Sequence, residues 1–370
     1  MLKIQEFIFN HSKNWHELLL SPPYCLRISK EGSYVLLKYN QISSDFNEEI
    51  CREARGIILD SSDNFKVVRM AFRKFFNLGE SFADEMDWDT CVAMEKIDGS
   101  LMSVWFANGE WHLSTNGSLN AFKTELPYGV AHKTFGELFE SILPLSFFYN
   151  KGLENYCFTF ELCSLENKVV LSYPEPQLYL LTVRKMNTLE EIDYTEISGW
   201  ATRLGVKYPH FYYMNDKEGF CKLVENMPEG HEGIVVRDEH NHRVKIKTLL
   251  YFQLHRQINN GKMTLERVVD LIRANDHAEF LAYFPQQKER FDKIEKQLRR
   301  IEGTTDKIKQ DVHLWKLQHP DAPKKWFAQD FANKELKHLY FAEYDNKLSV
   351  AIDELSSKKL ITMFKIKDVS

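Results

Sequence analysis

The spacing of apolar residues changes character once along this 370-residue chain, and that change constrains the fold more than any other feature. From Cys25 to Lys247 the hydrophobic runs are short and alternate with polar residues: CLRISK, SYVLLKYN, ARGIILD, FKVVRMAF, TCVAMEKI, NYCFTFELC, KVVLSY, LYLLTVRK, EGIVVRD and HRVKIKT. Period two, β-branched and aromatic enrichment, and intervening turn-formers predict half-buried strands. Within LMSVWFANGEWHLS, Asn108-Gly109 predicts a hairpin turn. Residues 1–20, 120–148 and 189–226 have helical spacing instead. After Lys247 the strand signal stops. Residues 263–284, 286–301, 304–318, 322–341 and 345–357 read as helices with charged outer faces, and glycine is reduced to Gly261 and Gly303. The expectation is an α+β domain of mainly antiparallel strands over residues 1–254, followed by an all-α C-terminal domain over 255–370.

Charge adds a second constraint. The chain carries 48 Lys+Arg and 53 Asp+Glu, a formal net charge of −5, which argues against coating nucleic acid by bulk positive charge. The imbalance is uneven, −9 over residues 1–254 and +4 over 255–370, so one local basic cleft and a mildly cationic tail remain open. Six cysteines show neither a C-x-x-C pair nor zinc-ligand spacing. No stretch approaches the roughly 20 apolar residues of a membrane span, and the N-terminus lacks a secretory apolar segment. A cytoplasmic protein with reduced thiols, off the membrane, is the expectation.

Chemistry concentrates in a few segments. Glu95-Lys96-Ile97-Asp98-Gly99-Ser100 joins two predicted strands. On these residues alone it is either an ordinary hairpin turn with a solvated lysine or a nucleophilic amine held at the mouth of a sheet. Phe158-Thr159-Phe160-Glu161 aims Glu161 away from Phe160. His231-Glu232-Gly233 leads a strand, and Val244-Lys245-Ile246-Lys247 sets two lysines on one strand face. Two ammonium groups so placed repel, a cost an anion between them offsets. Glu53-Ala54-Arg55-Gly56 and Arg73-Lys74-Phe75-Phe76 place further cations beside glycine or aromatic residues.

In order, K-x-D-G, F-x-F-E, E-G-x-V-V and K-x-K resemble the signature of the covalent nucleotidyltransferases, which comprise ATP-dependent DNA and RNA ligases and mRNA capping enzymes. RGIILD, KFFNLGE, KIDGSL, KVVLSY, LLTVR, KIKTLLY and the helical tail make the chain most similar to the bacteriophage T4-type RNA ligase family, the first phage RNA ligase class. The resemblance implies an antiparallel-sheet, ATP-grasp-like ligase fold, with ATP and Mg²⁺ or Mn²⁺ as required small molecules. It implies a monomer acting on RNA, either single-stranded ends or a nicked tRNA anticodon loop, in a cell's cytoplasm. A 5′-phosphate and a 3′-hydroxyl would be joined through lysyl-AMP and adenylylated RNA.

Carried over residue by residue, the resemblance makes Lys96 the nucleophile. Glu161 would bind the ribose, Glu232 the metal, and Lys245 and Lys247 the α-phosphate. Tyr251 falls at a functionally important family tyrosine. Arg55, Lys74, Phe76 and, less securely matched, Tyr39 would surround the triphosphate. Gly99 and Gly233 would admit the nucleotide, and Val235 with residues 178–181 would flank adenine. Asp270 and Asp276 match a domain-junction acid with a metal role. Asn116 departs from the pattern, standing where the first phage member has a lysine. An attacking lysine must be neutral, and neighbouring cations disfavour its ammonium form. DNA ligases and capping enzymes normally append a β-barrel after K-x-K, whereas this chain continues with helices. A non-catalytic RNA-binding relative would be expected to lose the lysine or an acid, and all are present.

Overall fold

A computed structural model describes residues 1–214, 216–248, 263–274, 277, 280–281, 285–320, 322–353 and 355–368. The chain divides into two compact units: Met1–Tyr39 with Ser44–Ile258, and Asn40–Ser43 with Asn259–Ser370.

Among the described residues the first unit holds three sheets. One is a meander of β1 (Arg27–Glu31), β2 (Tyr34–Lys38), β3 (Arg55–Asp60) and β4 (Lys66–Arg69). A five-stranded sheet includes β5 (Phe76–Asn77) and β6 (Val92–Glu95). A four-stranded sheet contains β7 (Ser100–Ala107), β8 (Glu110–Thr115), β9 (Tyr156–Cys163) and β10 (Gln177–Lys185), in the order β10-β9-β7-β8. With β11 (Phe211–Tyr213), β12 (Gly233–Arg237) and β13 (Arg243–Lys247), the five-stranded sheet runs β11-β6-β12-β13-β5. Among the described residues every pairing between these strands is antiparallel except β13 with β5.

Side-chain alternation explains how the sheets stack. Strand β3 is buried on both faces: Ile57 and Leu59 enter the core beneath the meander, while Ile58 meets Leu36, Trp105 and Cys157 between the meander and the four-stranded sheet. On the opposite face of β9, Phe158, Phe160 and Leu162 join the largest core with Phe139, Ile197 and Leu204. Asn108 and Gly109, both left-handed at φ 51° and 85°, make the β7–β8 hairpin turn as expected.

Several expected elements take another form. The K-x-D-G segment is not a hairpin turn, because β6 and β7 belong to different sheets and residues 96–99 cross between them. KVVLSY is a loop, its Val170 and Leu171 amides donating to the Asp98 carboxylate at 2.9 and 2.6 Å instead of to a strand. Residues 1–20 form two helices, Lys3–Asn10 and Trp15–Leu20. Of 120–148 only Phe135–Glu140 is α-helical, because Pro127 and Pro144 each lack a backbone donor. In the second unit, Gly303 does not interrupt the helix Lys288–Gln318, whose Ile308, Val312 and Trp315 pack on Phe327, Leu339 and Tyr340. That burial outweighs the roughly 1 kcal/mol propensity cost of one glycine. Residues 322–341 split into Lys324–Asp330 and Lys337–Tyr344, a break that lets Phe331 and Tyr340 meet at 4.9 Å. No helix among the described residues is long and apolar enough to cross a membrane.

A buried ion cluster ties β10, β12 and β13 together. Glu191 receives Arg184 at 2.5 Å, the Arg243 guanidinium, and Arg237 at 4.0 Å. These three cations overcome the cost of burial and hold the Glu191 carboxyl at about 2. A depressed carboxylate stabilises the fold above its ordinary range and loses that contribution as pH falls from about 4 towards 2. Glu191→Gln strands three guanidinium groups and is expected to cost about 3 kcal/mol at pH 7. Urea unfolding should show the gap to wild type narrowing below pH 4; equal midpoints at pH 7 would show that the cluster contributes nothing.

Candidate active site

The centre of the site is a carboxylate shared by two lysines. Register places Val235 opposite both Met94 and Lys245, and Gly233 opposite Lys247, while the Lys96 amide donates to the Gly233 carbonyl at 2.8 Å. Lys96, Lys245 and Lys247 therefore share one face of the five-stranded sheet, with Gly233 and Val235 between them. Strict alternation would send Glu232 to the other face. Gly233 breaks it with φ at 144°. Glu232 accordingly meets Lys96 Nζ at 2.7 Å and Lys247 Nζ at 3.4 Å. Its side chain is 3% exposed and that of Lys96 is 24% exposed, so the amine faces open space over a buried acid. A Cβ on Gly233 would lie 2.7 Å from the Lys247 Cα and closer still to the Ile246 carbonyl. No other residue fits there.

The four-stranded sheet contributes a second carboxyl. Glu161 lies in a row with Leu101 and Tyr179, its register partners on β7 and β10. A Cβ on Gly99 would sit 2.5 Å from the Leu162 carbonyl and 3.1 Å from Glu161 Cγ, so glycine permits the close approach of the K-x-D-G crossing to β9. Burial pushes the Glu161 carboxyl up to about 8; Lys96 and Arg55 oppose the rise, and Glu232 and Asp98 reinforce it. Burial, then Glu232, likewise raises Asp98. Three carboxyl groups thus press on one another around the Lys96 amine. Carboxylate oxygens are hard donors of the kind Mg²⁺ or Mn²⁺ takes, but among the described residues the ligand atoms close enough together to share an ion belong to exposed Asp87, Glu239 and His240.

The meander and the segment that follows it supply the remaining cations. The Arg55 guanidinium lies 4.6 Å from the Phe75 ring and donates to the Arg73 carbonyl at 3.4 Å. Lys74 Nζ sits among Tyr39, Phe46 and Phe76 at 5.1, 5.5 and 5.1 Å, an aromatic cage that favours the cation. Phe76 is 1% exposed, so it is a wall of that cage and presents no open ring. Asn116 follows β8, and its amide donates to the Leu101 carbonyl at 3.1 Å beside the Glu161 row. Asp270 belongs to the second unit, where it pairs with Arg267 at 3.8 Å. Tyr251 and Asp276 lie outside the described residues.

Some participants escaped sequence reasoning. Asp98 was visible only as part of a motif, yet its carboxylate anchors the 164–176 loop. Arg69, fully buried, donates to the Ser103 hydroxyl at 3.0 Å and to the Gly56 carbonyl beneath Arg55. His231 Nδ1 contacts Glu95 at 2.7 Å, the residues immediately preceding Glu232 and Lys96. These bonds join segments between 13 and 136 residues apart, so local pattern carries no trace of them.

Glu161 makes the site's pH dependence testable. Raised from its usual range near 4.5 to about 8, it favours the folded state fully in acid and loses that contribution as pH rises towards 8. Wild-type melting temperature is expected to fall between pH 5 and 8, and Glu161→Gln to remove most of that slope. Parallel profiles for the two proteins would show that Glu161 titrates normally.

Similarity to known proteins follows the same residues. The profile of the T4 RNA ligase 1 family, described as RNA ligase, matches residues 53–253. An RNA ligase from Rhodothermus phage RM378 is 25% identical over 399 aligned positions, covering 90% of this chain and 89% of its own. A protein of Autographa californica nuclear polyhedrosis virus, described as a candidate bifunctional polynucleotide kinase/RNA ligase, is 30% identical over 279 positions. That alignment covers 70% of this chain, which spans only 38% of the viral protein's length. Among solved structures, an archaeal ATP-dependent RNA ligase aligns over 70% of this chain and 67% of its own, with a TM-score of 0.48 and 15% identity. With the family profile matching more than half of its length, this chain belongs to the RNA ligase family typified by T4 RNA ligase 1.

Proposed function

We propose that the chain is an ATP-dependent RNA ligase that joins a 5′-phosphate to a 3′-hydroxyl through an adenylylated lysine. The observation that carries this reading is the Lys96 amine, partly exposed above buried Glu232 on the face it shares with Lys245 and Lys247. In the first step Lys96 Nζ attacks the α-phosphorus of ATP. A P–N bond forms, the bond to the β-phosphate oxygen breaks, pyrophosphate leaves, and the amine proton passes to solvent. In the second step an RNA 5′-phosphate oxygen displaces the lysine and takes the AMP. In the third a 3′-hydroxyl attacks the 5′-phosphorus, AMP departs, and the strand is sealed.

Each residue meets a physical demand of these steps. Lys245 and Lys247 would offset charge growing on the α-phosphate oxygens. Glu161 oxygens would accept hydrogen bonds from the ribose hydroxyls. Arg55 and Lys74 would hold the departing pyrophosphate, and Val235 would cover adenine. Glu232, with its hard oxygens, would hold a divalent cation, which neutralises phosphate charge when bound. The first unit is assigned nucleotidyl transfer. The second, the more cationic part of the sequence, is assigned recognition of the broken RNA, for which a cleaved tRNA anticodon loop is the proposed substrate.

Incubation with α-³²P-ATP and Mg²⁺ followed by a denaturing gel tests the reading. Wild type should retain covalent label, with none on Lys96→Ala, at least a hundredfold less on Lys247→Ala, and none after chelation. Absence of label on wild type across divalent metals would refute the reading. Sealing assays on single-stranded RNA, nicked tRNA and single-stranded DNA then rank the substrates.

A further inference from the structure

Lys38 closes β2 at a point where the ladder with β3 is irregular. Leu37 pairs with Ile57 but Lys38 pairs with Arg55, which leaves Gly56 as the extra residue of a bulge. Gly56 is left-handed at φ 75°, the conformation a glycine bulge requires, and such bulges re-aim neighbouring side chains. A Cβ there would lie 2.9 Å from Asn116 Oδ1 and closer to the Asn116 carbonyl. The bulge therefore seats the Asn116-Gly117 turn directly against β3. Across that turn, a Cβ on Gly117 would lie 3.3 Å from Lys38 Nζ. The Lys38 ammonium is thus delivered to the end of the row that holds Leu101, Glu161 and Tyr179.

Two further observations point to an anion at this place. Arg27 stands opposite Lys38, and Lys38 opposite Arg55, so three half-buried cations occupy one rung of the meander. Like charges opposed across strands are destabilising; Glu161 already acts on Arg55, and a phosphate arriving beside the rung would add to that negative charge. Asn116 is neutral, and its buried Oδ1 has no hydrogen-bond partner among the described residues. The turn itself therefore brings an amide but no charge.

We propose that Lys38 is a phosphate-binding residue of the nucleotide site, its ammonium reaching past the Asn116-Gly117 turn beside Arg55 to phosphate oxygens of the substrate. The inference rests on the ligase reading and deepens it. Phosphate oxygens come from two sources, ATP and the RNA 5′-end, and two assays separate them. The first follows lysine labelling against ATP concentration. The second takes pre-adenylylated enzyme and follows AMP transfer against the concentration of 5′-phosphorylated RNA.

Lys38→Met keeps the aliphatic stem and removes the charge. It is expected to raise half-saturation about tenfold in one of the two assays, the loss of one charge-assisted hydrogen bond, with the plateau rate within about twofold. Raising salt should narrow its difference from wild type, because screening weakens the lost attraction. Asn116→Lys placed in the Lys38→Met background, a cation restored from across the same turn, should recover most of the affinity. Wild-type half-saturation for Lys38→Met in both assays, with a matching melting temperature, would overturn the proposal, as would a fall in plateau rate alone. A wild-type protein that takes no label at all would instead refute the ligase reading.

Discussion

Much of the site depends on one electrostatic compromise, the sharing of the buried Glu232 carboxylate between Lys96 and Lys247. A carboxylate with 3% exposure carries a desolvation cost that only close cations and hydrogen bonds offset. Here the two ammonium groups come from different strands, one at the end of β6 and one at the end of β13, held in register through β12. The arrangement exists because Gly233 abandons strand geometry for a single residue. Remove that freedom and Glu232 turns to the opposite face, leaving two lysines to repel each other. Under the proposed function the same pairing would make the site responsive to substrate, since a phosphate would replace the carboxylate as the lysines' counter-charge.

A second ionic centre, around Glu191, has the opposite character. Three arginines surround one carboxylate whose charge is strongly favoured, so the group is fixed and offers a newcomer little. The contrast separates scaffold from chemistry within one domain. Glu191 joins β10, the neighbour of the strand that carries Glu161, to the strand of the lysine pair, through Arg184 on β10 and Arg243 on β13. Glu161 sits instead where burial and two neighbouring acids disfavour its charge. Perturbation towards the neutral form in a cleft marks a functional carboxyl better than burial does.

The parts of this site readable in the sequence are those set by short periods. Lys245 and Lys247 fall on one face because strands alternate, and Glu161 leaves the Phe158-Phe160 side for the same reason. Lys96 was legible through its motif, although the motif suggested a hairpin and the structure makes it a crossing between two sheets. A turn within one sheet and a link between two share the same local demand for glycine and aspartate, so residues 96–99 alone do not separate them. KVVLSY misled for a related reason: its composition suits a strand, but Asp98 captured its amides before any neighbouring strand could. Gly303 misled in the opposite direction, because helix packing outweighed a weak local preference. Arg69, Arg184 and Lys38 were illegible altogether, since each acts through a partner set by tertiary contact.

Net charge was the least informative number, and the structure explains why. A chain of formal charge −5 assembles its cations at one place by topology. The meander and the segment after it bring Arg55 and Lys74, the crossing brings Lys96, and the β12–β13 hairpin brings Lys245 and Lys247. No two of these three groups are closer in sequence than 20 residues, so no window of composition reveals them. Interaction with a polyanion at short range depends on the local field of a cleft, where low dielectric amplifies a few charges. Acidic surface elsewhere weakens only long-range attraction, which salt screens within roughly 10 Å. Specific chemistry on phosphate and an overall negative charge are therefore compatible, provided that the fold gathers its cations from segments remote in sequence.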